Sequence, residues 1–123
     1  MNAALGVAQL EQLPRFLDQK RILAARYRDA FKGIDGISFF TEPDFAKSNY
    51  WLNAIVLDEK LSANRDKILE LTNSTGLMTR PAWTPMHMLP MYKDFPKMDL
   101  SVAESLERRL INIPSSVKLG ASN

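Results

Sequence analysis

The chain has no cysteine. That absence excludes disulfide frameworks, thiolate metal sites and cysteine nucleophiles, and it is in keeping with a reducing, cytoplasmic setting. No run approaches the ~18 consecutive apolar residues of a membrane-spanning helix, and the first residues lack a signal-peptide pattern. Charge of one sign is also missing. Sixteen Lys and Arg stand against fourteen Asp and Glu, a net charge of +2, too small to imply a nucleic-acid or membrane partner. Histidine occurs once, at His87, so no histidine pair can hold a metal, and no Ser-His-Asp set forms convincingly around it. There is no glycine-rich phosphate loop, and Asp94 and Asp99 are not placed as a catalytic pair. No metal ligands and no catalytic residues are therefore assigned.

What is present is the composition of a globular chain. With 123 residues and 46% hydrophobic residues, the expectation is one domain over 1–123 that buries roughly two thirds of its unfolded surface. Ala4, Val7, Ala8, Leu10 and Leu13 recur at helical spacing, and Phe16, Leu17, Leu23, Ala24, Tyr27 and Phe31 extend the stripe. Pro14 predicts a kink or a new helix start, and Gly33 a left-handed cap at the end. Arg15, Lys20, Arg21, Arg26 and Arg28 mix with Asp18 and Asp29 as a solvated helix face.

Ile37–Thr41 is rich in strand formers, and Glu42–Lys47 is a polar loop. Tyr50–Leu57 is the strongest strand, with Tyr50, Leu52, Ala54 and Val56 on one face and Trp51, Asn53, Ile55 and Leu57 on the other. Ser62 is placed to cap a helix whose Ile68, Leu69 and Leu71 face inward, ending before Gly76. Leu77–Arg80 reads as a short strand halted by Pro81. Ser101 and Glu104 form an S-x-x-E capping box for a helix to about Arg109 that buries Val102, Leu106 and Leu110. Ile111–Ile113 is extended, and Lys118–Asn123 reads as a frayed tail. The fold class is α+β, a small antiparallel sheet covered by helices.

Residues 78–98 stand apart. They hold five of the six methionines, four of the seven prolines, and Trp83, His87, Tyr92 and Phe95. Prolines at this density prevent a regular element but stiffen an irregular one, and a stiff wall of aromatic and polar groups suits a flat ligand. The same composition also suits an irregular loop packed over the sheet by its methionines.

Three stretches carry a family likeness. They are N-A-A-L-G-V-A-Q-L-E-Q-L (Asn2–Leu13), T-R-P-A-W-T-P-M-H-M-L-P-M-Y (Thr79–Tyr92) and A-E-S-L-E-R-R-L-I-N-I-P-S-S (Ala103–Ser116). In this order they resemble the C-terminal part of the DegT/DnrJ/EryC1/StrS aminotransferases, with details similar to the perosamine-synthetase and LegC-like group. The resemblance implies a pyridoxal-phosphate-dependent enzyme of fold type I. It would move an amino group from glutamate to a keto-sugar nucleotide, UDP- or GDP-linked, in the making of surface polysaccharide or glycans. It implies a homodimer, a small C-terminal domain here, and a large cofactor-binding domain before Met1. None of the eight lysines matches the family's Schiff-base context, so no cofactor-binding residue is assigned and the chain alone is expected to be inactive. His87 and Tyr92 match the family's P-x-H-x-x-P-x-Y pattern near the sugar. On this reading His87 would donate a hydrogen bond to substrate, Trp83 would form an apolar wall, and Arg80 would bind an anion unless it pairs with Glu70 or Glu42. The first helix would pack on the large domain or on a dimer partner, leaving an apolar surface open in the isolated chain. The alternative is a non-catalytic module that holds a small ligand or peptide on loop 78–98; a third reading makes that loop packing alone.

Overall fold

The computed structural model describes residues 2–121. Helix α1 (Asn2–Phe31) is followed by strands β1 (Ile37–Phe39) and β2 (Asn53–Leu57), then helix α2 (Arg65–Ser74). Strand β3 (Arg80–Pro81), helix α3 (Ser101–Arg109) and strand β4 (Leu110–Ile113) complete the order. The four strands form one antiparallel sheet in the order β1-β2-β4-β3. The expected α+β architecture is what the chain adopts.

Register explains the core. Ile37 pairs with Leu57, Phe39 with Ile55, and Ile55 with Ile111. Side chains two apart on a strand share a face, so Ile55, Leu57, Ile111 and Ile113 meet on one side. Leu57 and Ile111 are 0% exposed. Full burial of each is worth roughly 1.5–3 kcal/mol. Tyr27 and Phe31 of α1 and Ile68 and Leu69 of α2 pack against this cluster, so both helices cover that face.

Pro14 lies inside one continuous helix, and no new helix starts there. The helix keeps going because a missing N–H removes only one bond of a long ladder. Leu5, Val7, Leu10 and Leu13 are exposed, and the stripe is covered only in its second half, where Leu23 and Ala24 are buried and Tyr27 and Phe31 pack on the core. The expected cap holds: Gly33 has φ +82°, a conformation that costs glycine least.

Several boundaries shift from the sequence reading. β1 ends at Phe39 rather than Thr41. β2 begins at Asn53 because Tyr50 sits at φ +47°, which turns the chain before the strand can form. A 3₁₀ segment, Glu59–Asn64, precedes α2, so Asn64 rather than Ser62 occupies the cap position. Leu71 and Val102, expected to be buried, are exposed, with no described element covering them. Sheet pairing by β3 includes Pro81 rather than stopping before it, which an edge strand permits.

The tail also differs from expectation. Val117–Leu119 forms a 3₁₀ turn against α1, and Arg26 Nη1 donates to the Leu119 carbonyl at 3.2 Å. Gly120 is buried there, and a Cβ on it would lie 1.9 Å from the Gln19 carbonyl oxygen. Ser122 and Asn123, the end of that expected tail, lie outside the described residues.

Two residues of the expected solvated face are tied down instead. Lys20 is buried and donates to the carbonyl oxygens of Trp51, at 2.8 Å, and Ser115. Desolvation holds its ammonium below the usual lysine pKa. Arg21 makes a two-pronged pair with Glu42. Neither commitment is visible in helical spacing, because each partner lies more than twenty residues away.

Candidate functional site

The segment singled out by composition begins from a fixed anchor. Thr79 is buried, its hydroxyl 2.5 Å from that of Thr72, and Asn73 Nδ2 donates to the Thr79 carbonyl at 3.0 Å. Arg80 then pairs with Asn112 of β4, whose amide donates to the Pro81 carbonyl at 3.1 Å. Beyond this anchor the chain leaves the sheet.

Residues 82–98 fold as two 3₁₀ turns, Met86–Met88 and Pro90–Tyr92. Pro85 stands before the first and Pro90 opens the second, where a fixed φ suits the turn and the missing N–H leaves no donor unsatisfied. The rings of Tyr92 and Phe95 meet edge to face at 6.1 Å. Between this segment and the start of α3 lies a groove of about 580 Å³. Met86, His87, Tyr92 and Phe95 line one side, and Leu100 and Ala103 close it from α3. Its wall is mostly apolar, with His87, Tyr92 and Lys97 as the polar side chains.

The structure brings two of the four expected residues together and leaves two outside. His87 and Tyr92 share the groove. Trp83 does not line it and is 73% exposed. Arg80 is exposed and forms no ion pair among the described residues. Neither expected alternative partner is used, and Glu42 belongs to Arg21.

Glu104 was missed as part of this site. Its expected role was the capping box of α3, but Ser101 is already the first helical residue and makes no side-chain cap. Asp99 takes over that end, its Oδ1 accepting from the Ser101 amide at 3.0 Å, and that bond holds its carboxyl below the usual aspartate range. Glu104 is left free to meet His87 Nε2 at 2.8 Å. The S-x-x-E pattern hid it: the spacing fits a cap, and the true partner lies seventeen residues back in an irregular segment.

Other chemistry is sparse. Among the described residues there is no group of three or more His, Asp and Glu placed for a metal ion. No described helix is long and apolar enough to cross a membrane. Seven of the eight lysines are exposed, and Lys20 is committed to two carbonyls.

A sequence profile described as the DegT/DnrJ/EryC1/StrS aminotransferase family matches residues 1–123. GDP-perosamine synthase of Vibrio cholerae is 33% identical over 114 residues, covering 92% of this chain and 31% of that protein. The dTDP-4-amino-4,6-dideoxy-D-glucose transaminase of Escherichia coli is 27% identical over 118 residues, covering 93% and 32%. The crystal structure of S. venezuelae DesV superposes with a TM-score of 0.81 at 26% identity, covering 95% of this chain and 31% of that one. The chain thus spans about a third of the length of the relatives it matches.

Proposed function

The chain belongs to the DegT/DnrJ/EryC1/StrS aminotransferase family, and from that premise we propose that it forms the C-terminal, sugar-facing third of a transaminase acting on a nucleotide-linked keto-sugar. The observation that carries this reading is the family match over all 123 residues, joined to the relatives' threefold greater length. Glutamate would be the amino donor, the whole protein would work in the cytoplasm as a homodimer, and the product would feed glycan or polysaccharide synthesis. The two relatives above are named for GDP- and dTDP-sugars, which favours a nucleoside-diphosphate carrier for the substrate.

Aminotransferases of this family use pyridoxal phosphate. The residues of this chain do not fit that group by themselves. Imine formation needs a lysine amine in an enclosed polar site, and the one buried lysine already donates to two backbone carbonyls. The cofactor would be held by protein beyond these residues, with the small domain acting on the sugar, and this chain alone would be inactive. His87 and Tyr92 would contact the sugar from the groove, Trp83 would lie against its apolar face, and Arg80 would meet an anionic group. The exposed Leu5, Val7, Leu10 and Leu13 would be covered by the rest of the protein.

The test is to join residues 1–123 to the preceding two thirds of the Vibrio cholerae relative. The expected hybrid binds pyridoxal phosphate and aminates a GDP-keto-sugar with glutamate. Trp83→Ala or His87→Ala should raise KM for the sugar about tenfold without altering the cofactor's absorbance. Unchanged KM in both variants would remove these residues from the site. A hybrid that holds the cofactor yet shows no turnover would favour a binding module built on loop 78–98.

A further inference from the structure

Segment 82–98 is held to the remainder of the chain in an unusual way. Beyond its first residue, which ends the β3–β4 ladder, its backbone hydrogen bonds are internal, from Met88 to Pro85, Leu89 to Met86, Tyr92 to Leu89 and Phe95 to Tyr92. Past the end of the β3–β4 ladder, one hydrogen bond among the described residues leaves the segment: His87 Nε2 to Glu104 Oε1. The His87 side chain is 10% exposed, while Glu104 is 39% exposed and rides on α3.

Helix α3 is a firm base for such a contact. Arg65 Nη1 donates to the Glu107 carbonyl at 2.9 Å and pairs with its carboxylate at 3.2 Å. Arg109 Nη1 donates to the Leu57 carbonyl at 2.8 Å, joining α3 to the central strand β2. The groove, for its part, has one wall in segment 82–98 and its floor at Leu100 and Ala103. Its shape therefore depends on where that segment lies relative to α3.

We propose that Glu104 is a positioning residue, which holds the His87 ring through Nε2–H, leaves Nδ1 as an exposed hydrogen-bond acceptor, and clamps segment 82–98 onto α3. An ionised carboxylate has no proton to give, so the hydrogen between it and a neutral imidazole sits on Nε2. No described residue bonds Nδ1. The only described side-chain polar atom both sealed from solvent and unpartnered is Asn53 Oδ1, so Nδ1 reaches solvent. Whenever the ring is neutral, Nδ1 accepts from a hydroxyl or amine, such as a sugar carries, where the sequence reading expects a donor. A phosphate, which offers only acceptors, fits it poorly.

The identity of the group that Nδ1 meets rests on the sugar-facing reading of the groove. The clamp itself does not, and its test contains no nucleotide sugar, so either can fail without the other. Because His87 is the only histidine, its imidazole signals in the 15N-labelled chain are unambiguous. The expected result is a protected Nε2–H cross-peak that disappears in Glu104→Ala and persists in Glu104→Gln, whose amide oxygen still accepts. In Glu104→Ala the Met88, Leu89, Tyr92 and Phe95 amides should exchange about tenfold faster, with the β2 and β4 amides unchanged. The proposal is overturned by a proton found on Nδ1, by no protected imidazole proton in the parent chain, or by loop exchange altered less than about twofold. It is equally overturned if sheet amides accelerate with the loop, which would mean general destabilisation, or if Glu104→Gln behaves as Glu104→Ala.

Discussion

Two irregular segments rise from the same sheet, and they are fastened in opposite ways. Residues 40–52, between β1 and β2, are laced to α1. Arg21 pairs with Glu42 and donates to the Ser48 carbonyl at 2.7 Å, and the Ser48 amide returns a bond to Glu42. The Arg21 guanidinium lies 5.6 Å from the Tyr50 ring centroid, and Lys20 takes the Trp51 carbonyl. Residues 82–98 have no such lacing, and their stiffness comes from prolines and local turns, with a single bond to α3. Both segments expose aromatic side chains, Phe45 and Trp51 in the first and Trp83 and Phe95 in the second. The contrast therefore lies in the backbone. The laced segment is part of the scaffold, while the clamped one is a stiff plate whose seating one pair decides, as suits a surface that must fit a ligand.

The largest expected effect removes the foundation that the two segments share. Ile111 is fully buried, pairs with Ile55 of β2 and with Pro81 of β3, and so lies beneath both. Ile111→Ala should cost about 2–5 kcal/mol of stability, from lost transfer energy and the cavity left behind. A urea titration would show it, and both segments should lose exchange protection together. Loosening of only one would mean that the sheet does not support them jointly.

A smaller effect should separate them by pH. The Glu42 carboxyl is held below its ordinary 4.5, first by the bond from Arg21 and then by the Ser48 amide. A carboxyl whose folded pKa is depressed contributes stability above the unfolded value and loses it as pH falls through the folded one. Protection of the Ser48 amide should therefore be complete at 4.5 and above, and decay only as pH falls through the lower folded value. In Glu42→Gln the amide should be poorly protected throughout, with little dependence on pH. Full protection in the parent chain at a pH where the Glu42 carboxyl carbon shift shows it protonated would mean that its ionisation does not hold the segment.

How far the sequence discloses this contrast follows from the range of the interactions. Alternation places Ile55 and Leu57 on one face of β2 correctly, because a pleated strand encodes its faces at a spacing of two. The stripe of α1 is periodic too, yet Leu5 and Leu10 meet no partner and stay exposed, since periodicity names a face and not what covers it. Proline and methionine content marks 78–98 as irregular, and it brings His87 and Tyr92 into view. The polar ties are what stay hidden. Lys20 to Ser115, Arg21 to Glu42 and His87 to Glu104 join residues 95, 21 and 17 apart, and only the fold brings them together. Local rules even mislead where two explanations share one spacing, as with Glu104 in S-x-x-E.

The smallest expected effect is at Trp83, and it decides what the clamped segment is for. An indole that is 73% exposed and outside the groove loses little burial when truncated. Trp83→Ala should then change the urea-unfolding free energy by no more than about 0.5 kcal/mol. If the segment were merely packing over the sheet, the same change would approach the cost of Ile111→Ala, because a large ring would be leaving a core. The near-silent outcome leaves a tryptophan that folding does not need, set on a proline-stiffened plate beside an apolar groove. Exposed aromatic surface on a stiff support loses little conformational entropy when it meets a ligand, so a side chain idle in the folded chain is well placed to act in recognition.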